Sequence, residues 1–200
     1  MKTLKEALEK QERIACLLTL YEKDSGNCTK VIFSNNREIL LYQSIHSVLK
    51  VIAKHYSLDL NELRKKQQKL LNDKNYIPLP ISRDILLISV KTRFPKVKGD
   101  SSISYINYYE IDRIDKKEPI LYLKGGKPIQ SLNSIATLKK RYVQGEICSK
   151  LQNSSQNFNF EIAESAMPYF LPATKGDIKA IARELENLKE LLNRILITKK

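Results

Sequence analysis

Three short apolar segments near the N-terminus place the strongest constraint on the fold. They cover residues 14–21, 28–33 and 37–42, and each has the length and the apolar content of a β-strand. Only two turn-forming stretches, rich in Asn, Asp, Ser and Gly, separate them. Connections this short join antiparallel neighbours, so the sequence predicts an antiparallel meander.

Helical periodicity follows the meander. Apolar residues recur at spacings of three and four over residues 45–56, directly after Ser44, and a second helix is predicted to open at Asp59. Thr3 and Glu6 form a capping-box pattern that predicts a short charged helix at the start of the chain. Each helix needs a partner surface, because its apolar stripe must be buried.

Strand patterns return in the second half of the chain. Residues 76–82 contain two prolines, which favours an edge strand, whereas residues 85–92 are apolar enough for a central strand. After a loop, residues 103–111 are predicted to form one further strand. Gly125 and Gly126 predict a two-residue hairpin turn in which both glycines have positive φ angles.

Together these elements predict the α+β class: antiparallel strands and hairpins with two or three packed helices and a C-terminal helix. A helix is expected from Asn133, with Gly145 as a candidate bend. We divide the chain into a domain at residues 1–152, a polar linker at 153–173 and a helix at 174–200. That last helix carries a short heptad seam, which suits a parallel dimer and packing on its own domain equally well.

Positive charge is concentrated in one segment. Residues 64–141 contain 18 Lys or Arg and 7 Asp or Glu, whereas residues 1–63 contain 9 against 8 and residues 142–200 contain 8 against 7. Because like charges repel one another in the folded state, a segment that keeps them usually has a polyanion partner. Nucleic acid is the first candidate, and a merely solvated surface is the alternative.

Catalytic and metal-binding patterns are poor. His46 and His55 are nine residues apart on one predicted helix, which does not suit a shared metal ion. Glu110, Asp112 and Asp115 could suggest a nuclease, yet they alternate as the solvent face of a strand does. No phosphate loop or nucleophile motif is present. We therefore predict no enzymatic activity, no cofactor and no metal.

The cysteines and the apolar runs bear on the compartment. Cys16, Cys28 and Cys148 are odd in number and have no C-x-x-C spacing, which favours buried, reduced thiols, with a Cys16–Cys28 bridge as the one disulfide left open. No apolar run approaches the roughly 20 residues of a membrane span. The N-terminus is charged and has no apolar signal segment. We expect a cytosolic protein that has no membrane partner.

Two placements of a DNA-contacting surface compete. In the first, the helices at residues 44–55 and 59–72 form a helix-turn-helix that reads the major groove with residues 64–68. In the second, the loop at residues 93–100, the hairpin at Gly125 and residues 139–141 line one end of a sheet and hold phosphates or a minor groove. We favour the second, which uses more of the excess charge. The candidate DNA-binding residues are Arg64, Lys65, Lys66, Lys91, Arg93, Lys96, Lys98, Lys124, Lys127, Lys139, Lys140 and Arg141.

Several of these segments occur in the order, and nearly in the spacing, of a known family. The matching residues are Ser47 and Ile52 in the first long helix, Ser57-Leu58, Arg64, Pro78, the apolar strand at 85–90, Gly126-Lys127, Ser134 and Leu138. Over roughly residues 28–150 the chain resembles the ComK family of bacterial competence transcription factors. Residues 169–175 are similar to the segment before the last helix of that family.

The resemblance to ComK implies a function. It implies a transcription activator that reads A·T-rich boxes with strong minor-groove involvement, led by Arg side chains. It also implies a degradation adaptor as a candidate partner at residues 169–175. Independently, residues 103–141 are similar to the strand, hairpin and helix of LytTR-type DNA-binding domains. Both likenesses point to a cytosolic transcriptional regulator that binds duplex DNA as a dimer or higher oligomer.

The main alternative is an RNA-binding or translation-associated protein. Tyr105, Tyr108 and Tyr109 fall on one predicted strand of a basic α+β domain and could stack bases. Tyrosines on strands more often belong to a core, so this hypothesis ranks second, and a nuclease ranks third.

Overall fold

The computed structural model describes residues 2–22 and 26–157, together with the helical positions Glu186 and Lys189. The chain divides into two compact units, Met1–Gln152 and Asn153–Lys200. Helix continues to residue 157, five residues into the range predicted as a linker. Apart from those five residues and the two isolated positions, the predicted linker and the predicted C-terminal helix seam lie outside the described residues.

The described part of the chain contains both helices and strands. In order they are α1 (Lys2–Glu9), β1 (Ile14–Glu22), β2 (Gly26–Phe33), β3 (Glu38–Leu41), α2 (Ile45–His55), α3 (Leu60–Leu71), β4 (Leu79–Ser82), β5 (Ile85–Lys91), β6 (Ile103–Asn107), a 3₁₀ turn (Tyr108–Glu110), β7 (Ile111–Ile114), β8 (Ile120–Leu123), β9 (Pro128–Gln130) and α4 (Ile135–Asn157). The predicted α+β class is confirmed.

Six strands form the larger sheet, in the order β3-β2-β1-β6-β5-β4, and all neighbours are antiparallel. Strands β1 to β3 are the predicted meander. Strand β4 lies at an edge, where the missing N–H of Pro80 costs least, and β5 lies between β4 and β6, as predicted. Strands β7, β8 and β9 form a separate three-stranded sheet.

Two hydrophobic cores lie on opposite faces of the larger sheet, because successive side chains on a strand point to opposite faces. Phe33 of β2 and Leu87 of β5 join the core beneath α1, α2 and α3. Their neighbours Ile32 and Ile88 join the other core, which includes the three-stranded sheet and Leu138 of α4. The domain therefore has three layers: helices, the larger sheet, and the smaller sheet with α4.

Helix starts follow the predicted caps in two cases. Ser44 and Asp59 precede α2 and α3, and each side chain accepts N–H hydrogen bonds from the first turn, as predicted. Helix α1 already includes Thr3, so that residue does not precede the helix as its cap pattern suggested. Helix α4 begins after Ser134, whose hydroxyl accepts the Thr137 N–H at 3.2 Å.

The prediction of one strand over residues 103–111 was wrong in its second half. Strand β6 ends at Asn107, whose side-chain oxygen accepts the Leu86 N–H and whose amide nitrogen donates to the Ile14 and Asp84 carbonyls. This buried amide ties three segments together at the point where the chain turns out of the larger sheet. The next strand, β7, begins at Ile111 in the smaller sheet.

Glycines act differently from the predictions at two places. In the β8–β9 hairpin only Gly126 has a positive φ angle, of 80°, so the expected pair of positive φ angles was wrong. A Cβ on Gly125 would lie 2.4 Å from the Asn36 side-chain oxygen, so close approach explains that glycine. At Gly145, helix α4 continues unbroken, and a Cβ there would lie 2.8 Å from the Tyr108 ring. Gly145 therefore permits close packing.

All three cysteines are free and buried. The Cys16–Cys28 bridge is ruled out in this structure, because the register of β1 and β2 pairs Cys16 with Ile32 and Cys28 with Leu20. Burial raises the pKa of the Cys16 thiol, and it raises the pKa of Cys148 to about 11. Among the described helices, none is both long enough and apolar enough to cross a bilayer.

Candidate nucleic-acid interface

The loop between β5 and β6 is attached to one end of the larger sheet. With Lys91, the last residue of β5, we call residues 91–101 the basic loop. The β5–β6 pairing places Lys91 opposite Ile103, and the β1–β2 pairing places Glu22 opposite Gly26. The basic loop, the end of β1 and the start of β2 therefore share this end of the sheet.

Arg93 holds the basic loop to the sheet. Its guanidinium donates to the Leu20 carbonyl at 2.7 Å, the Ser101 carbonyl at 2.8 Å and the Asn27 side-chain oxygen at 2.6 Å. The guanidinium carbon also lies 4.0 Å from the centre of the Tyr21 ring. Because these contacts use most of its donors, Arg93 acts as a strut within the domain and has few donors left for a phosphate.

Asp100 completes this attachment from the other side of the loop. Its carboxylate accepts the Tyr21 hydroxyl at 2.8 Å and the Asn27 amide at 2.9 Å. The Tyr21 hydroxyl in turn accepts the Lys96 N–H at 2.7 Å. With both of its arms bonded to the same two strands, the backbone of the basic loop is held at this end of the sheet.

Three ammonium groups of the basic loop remain available. Lys91, Lys96 and Lys98 form no ion pair with any described residue. Lys91 lies 4.8 Å from the centre of the Phe94 ring, and Phe94 is 68% exposed. The loop therefore offers three unpaired cations and an exposed aromatic side chain that lies beside one of them.

Helix α4 starts at the same end of the domain. The Lys91 N–H donates to the Asn133 side chain at 2.8 Å, and the Leu132 N–H donates to the Lys91 carbonyl at 2.7 Å. Lys139, about one turn into α4, is exposed and has no ion-pair partner in the described residues. The positive end of the helix dipole adds to the field at this end.

Two lysines that the sequence analysis did not select also lie here. Ser131 links the β7–β8 turn to the basic loop, because its N–H donates to the Pro119 carbonyl at 2.8 Å and its hydroxyl donates to the Lys91 carbonyl at 3.2 Å. That turn carries Lys116 and Lys117, both exposed. Their place at this end depends on contacts between the β7–β8 turn and segments distant in sequence. We call Lys91, Lys96, Lys98, Lys116, Lys117 and Lys139 the basic end.

Lys140 and Arg141 sit beside the basic end, but they are engaged within the domain. Asp73, which follows α3, lies 2.9 Å from the Lys140 ammonium and 3.9 Å from the Arg141 guanidinium. It also accepts the Gln144 amide at 3.0 Å. The pKa of Asp73 is lowered to about 2, chiefly by its bond with Lys140. Arg141, with only 12% of its side chain exposed, also stacks on Tyr76 at 5.0 Å.

The β8–β9 hairpin lies at the opposite end of the sheet, so the expectation that it lines one end with the other two elements was wrong. The Asn36 amide, in the turn after β2, donates to the Gly125 carbonyl at 3.1 Å, and the Lys124 N–H donates to the Glu110 carbonyl at 2.8 Å. The Lys127 ammonium is paired with Glu38. Lys124 and Lys127 are therefore separated from the basic end by the length of the strands.

The α2–α3 pair has the form of the first placement, but its reading face is partly occupied. Gln67 is buried and accepts the Cys148 S–H at 3.2 Å, and the Gln68 amide donates to the Lys74 carbonyl at 2.8 Å. Lys65 pairs with Glu62 at 2.8 Å. Among the residues expected to read the groove, Arg64 and Lys66 have side chains that form no hydrogen bond or ion pair with another described residue.

The tyrosines expected as a stacking platform do not share a face. Tyr105 packs on the helix-side core, whereas Tyr108 belongs to the other core and lies 5.0 Å from the Tyr142 ring. The acidic cluster is dispersed too, since Glu110 is buried at 5% exposure near Arg13. Among the described residues, no group of three or more His, Cys, Asp or Glu could hold a metal ion.

This chain matches no protein-family model, no curated protein and no solved structure. The likenesses to the ComK and LytTR families therefore rest on the short sequence segments that carry them.

Proposed function

We propose that this protein is a cytoplasmic transcriptional regulator that binds A·T-rich duplex DNA through the basic end. The observation that carries the proposal is the set of unpaired lysines on a loop that Arg93 and Asp100 hold in place. Cations that repel one another without internal partners are stabilised by a polyanion. A loop fixed in advance loses little conformational entropy when it binds.

Two exposed apolar side chains of the basic loop favour binding in a groove of duplex DNA over binding to phosphates alone. Phe94 and Val97, 68% and 62% exposed, stand among Lys91, Lys96 and Lys98. Minor-groove proteins combine cations on the phosphates with apolar side chains at the base steps. The likeness to ComK supports the same reading, because it implies A·T-rich sites, minor-groove contact and activation in competence. Since Arg93 is engaged, the contacts are led by lysines.

Self-association and turnover are proposals that rest on the sequence alone. The heptad seam at residues 174–200 supports binding as a dimer or higher oligomer. Light scattering of the Leu185→Asp, Leu188→Asp variant tests this proposal, and a folded variant that keeps the wild-type mass contradicts it. Residues 169–175 are the proposed contact of a degradation adaptor.

A salt titration tests DNA binding. If about six phosphates are neutralised, log K for an A·T-rich duplex falls with log salt at a slope of about −5. The Lys96→Gln, Lys98→Gln variant should reduce that slope by about 2, because each phosphate contact contributes about 0.9. The matched control is Lys10→Gln, Lys124→Gln, which removes two exposed lysines elsewhere on the domain and should leave the slope unchanged.

Two competitors complete the experiment. A G·C-rich duplex of equal length should displace the A·T-rich duplex poorly, and single-stranded RNA should displace it more poorly still. A wild-type slope near zero, or equal losses in the two double variants, would contradict the proposal. Preferential binding of single-stranded RNA would favour the RNA-binding alternative.

A further inference from the structure

A second group of unpaired cations surrounds a cleft between α2 and α3. His46, Lys50 and Lys54 follow one another at intervals of four on α2, so they share one face of that helix. Arg64 of α3 lies across from them, and the cleft between the two helices has a volume of about 390 Å³. None of these four side chains has a hydrogen bond or ion pair with another described residue.

The polar and apolar parts of the cleft are separated. Ala53 and Leu60, which are 2% and 8% exposed, form its floor together with Leu58. Its one acidic lining residue is Asp59, whose carboxylate accepts the Asn61 and Glu62 N–H groups at 2.7 and 3.0 Å as the cap of α3. The rim therefore carries three permanent positive charges against one carboxylate that the helix cap already uses.

Lys50 and Arg64 both lie close enough to His46 to affect its protonation. The pKa of His46 is lowered from its ordinary value, first by burial and then by the charges of Lys50 and Arg64. Charges crowded in this way repel one another in the folded protein, and a bound anion would relieve the repulsion. The planar guanidinium of Arg64 suits two oxygens of a phosphate, and the lysines add mobile point charges.

We propose that this cleft binds a small phosphorylated molecule, with its phosphates on Lys50, Lys54 and Arg64 and a ring or sugar on the apolar floor. The volume lies near the lower limit of small-molecule sites, which suits a ligand of mononucleotide size. A concave site with a buried floor fits such a ligand better than it fits the convex backbone of a duplex. The site is on the helical layer and does not depend on DNA binding by the basic end.

Calorimetric titration of the full chain with ADP and with pyrophosphate tests the site. ADP should bind with a dissociation constant below about 1 mM and more tightly than pyrophosphate, because only ADP has a ring for the apolar floor. The Lys50→Gln, Arg64→Gln variant should weaken ADP binding at least tenfold. The control Lys66→Gln, Lys69→Gln removes the same charge from α3 outside the cleft and should change it less than twofold.

The proposal is overturned by the absence of heat from ADP in the wild type, by equal losses in the two double variants, or by pyrophosphate binding as tightly as ADP. Arg64 is half-buried, so its substitution affects folding more than that of an exposed residue. If the double variant does not fold, the single variant Lys50→Gln, at an exposed position, replaces it in the ADP titration. Duplex DNA binding is measured on the same proteins. If the cleft variant loses DNA affinity but keeps ADP affinity, the cleft is a DNA contact and the proposal fails. If the basic end does not bind DNA, the ADP titration still decides whether the cleft binds a phosphorylated ligand.

Discussion

Two basic regions of the domain look alike in sequence and differ in the folded protein. Lys140 and Arg141 share the carboxylate of Asp73, which offsets one of their two positive charges within the domain. Lys96 and Lys98, on the basic loop, meet no described carboxylate. A basic residue is available to a polyanion only if the fold leaves it unpaired, so a count of charges along the chain overestimates the binding surface.

The same contrast occurs within the basic loop itself. Arg93 and Lys96 are three residues apart, yet Arg93 donates to three acceptors of the domain. Among the described residues, the one partner of the Lys96 ammonium is the Tyr21 ring, at 5.1 Å. The planar guanidinium can serve several acceptors at once, whereas an ammonium on a flexible stem favours water. Arg93 therefore shapes the loop, and the lysines are left for a partner.

The largest expected effect comes from removing the strut. Arg93→Ala should lower the free energy of unfolding by about 2 to 4 kcal/mol, because three charge-assisted hydrogen bonds and the stacking on Tyr21 are lost. Urea denaturation measures this loss. Lys98→Ala, in the same loop, should stay within about 0.5 kcal/mol of the wild type. Equal stability of the two variants would show that Arg93 is not a strut.

A smaller, pH-dependent effect is expected at Asp73. Its pKa falls from 3.8 to about 2 on folding, so the folded state holds fewer protons than the unfolded state between these values. The carboxylate should therefore contribute about 2 kcal/mol above pH 3.8, and this contribution should disappear as the pH falls towards 2.

Urea denaturation of wild type and Asp73→Asn across this pH range measures the contribution. The difference between the two proteins should be largest at neutral pH and should close in acid. A difference that persists unchanged near pH 2 would mean that the charge of Asp73 is not what stabilises the α3–α4 contact.

Adjacent lysines of α4 allow a direct comparison of the two regions. Lys139→Gln should reduce the salt slope of DNA binding by about 1 and leave stability within about 0.5 kcal/mol. Lys140→Gln should do the reverse, lowering the free energy of unfolding by up to about 1 kcal/mol with little change in the slope. If both variants weaken DNA binding equally, the ion pair with Asp73 does not remove Lys140 from the interface.

The smallest effect concerns the cleft between α2 and α3. His46 should titrate below 6.5, and Lys50→Gln should move its pKa upwards without restoring the ordinary value, because burial is the larger cause. Imidazole proton shifts measured by NMR across a pH series give the pKa. A pKa of His46 that does not respond to Lys50→Gln would show that the cations of the cleft are not close to it.

Local patterns were enough to predict several elements. Ser44 and Asp59 bind N–H groups two or three residues away, and the apolar stripe of α2 follows from its own periodicity. The alternation and short turns of the meander likewise involve near neighbours in sequence. Such features are determined by interactions within a few residues.

Tertiary structure alone decided which charges are free and where strands end. Asn107 ends β6 because its side chain bonds with segments that include Ile14, 93 residues away. Arg93 is a strut because Leu20 and Asn27 lie beside it, 73 and 66 residues earlier. Lys116 and Lys117 join the basic end because Ser131 bonds with both Pro119 and Lys91. Most helices and strands and the excess of positive charge follow from local sequence, but the partner of each charge depends on distant segments that meet only when the sheets pack.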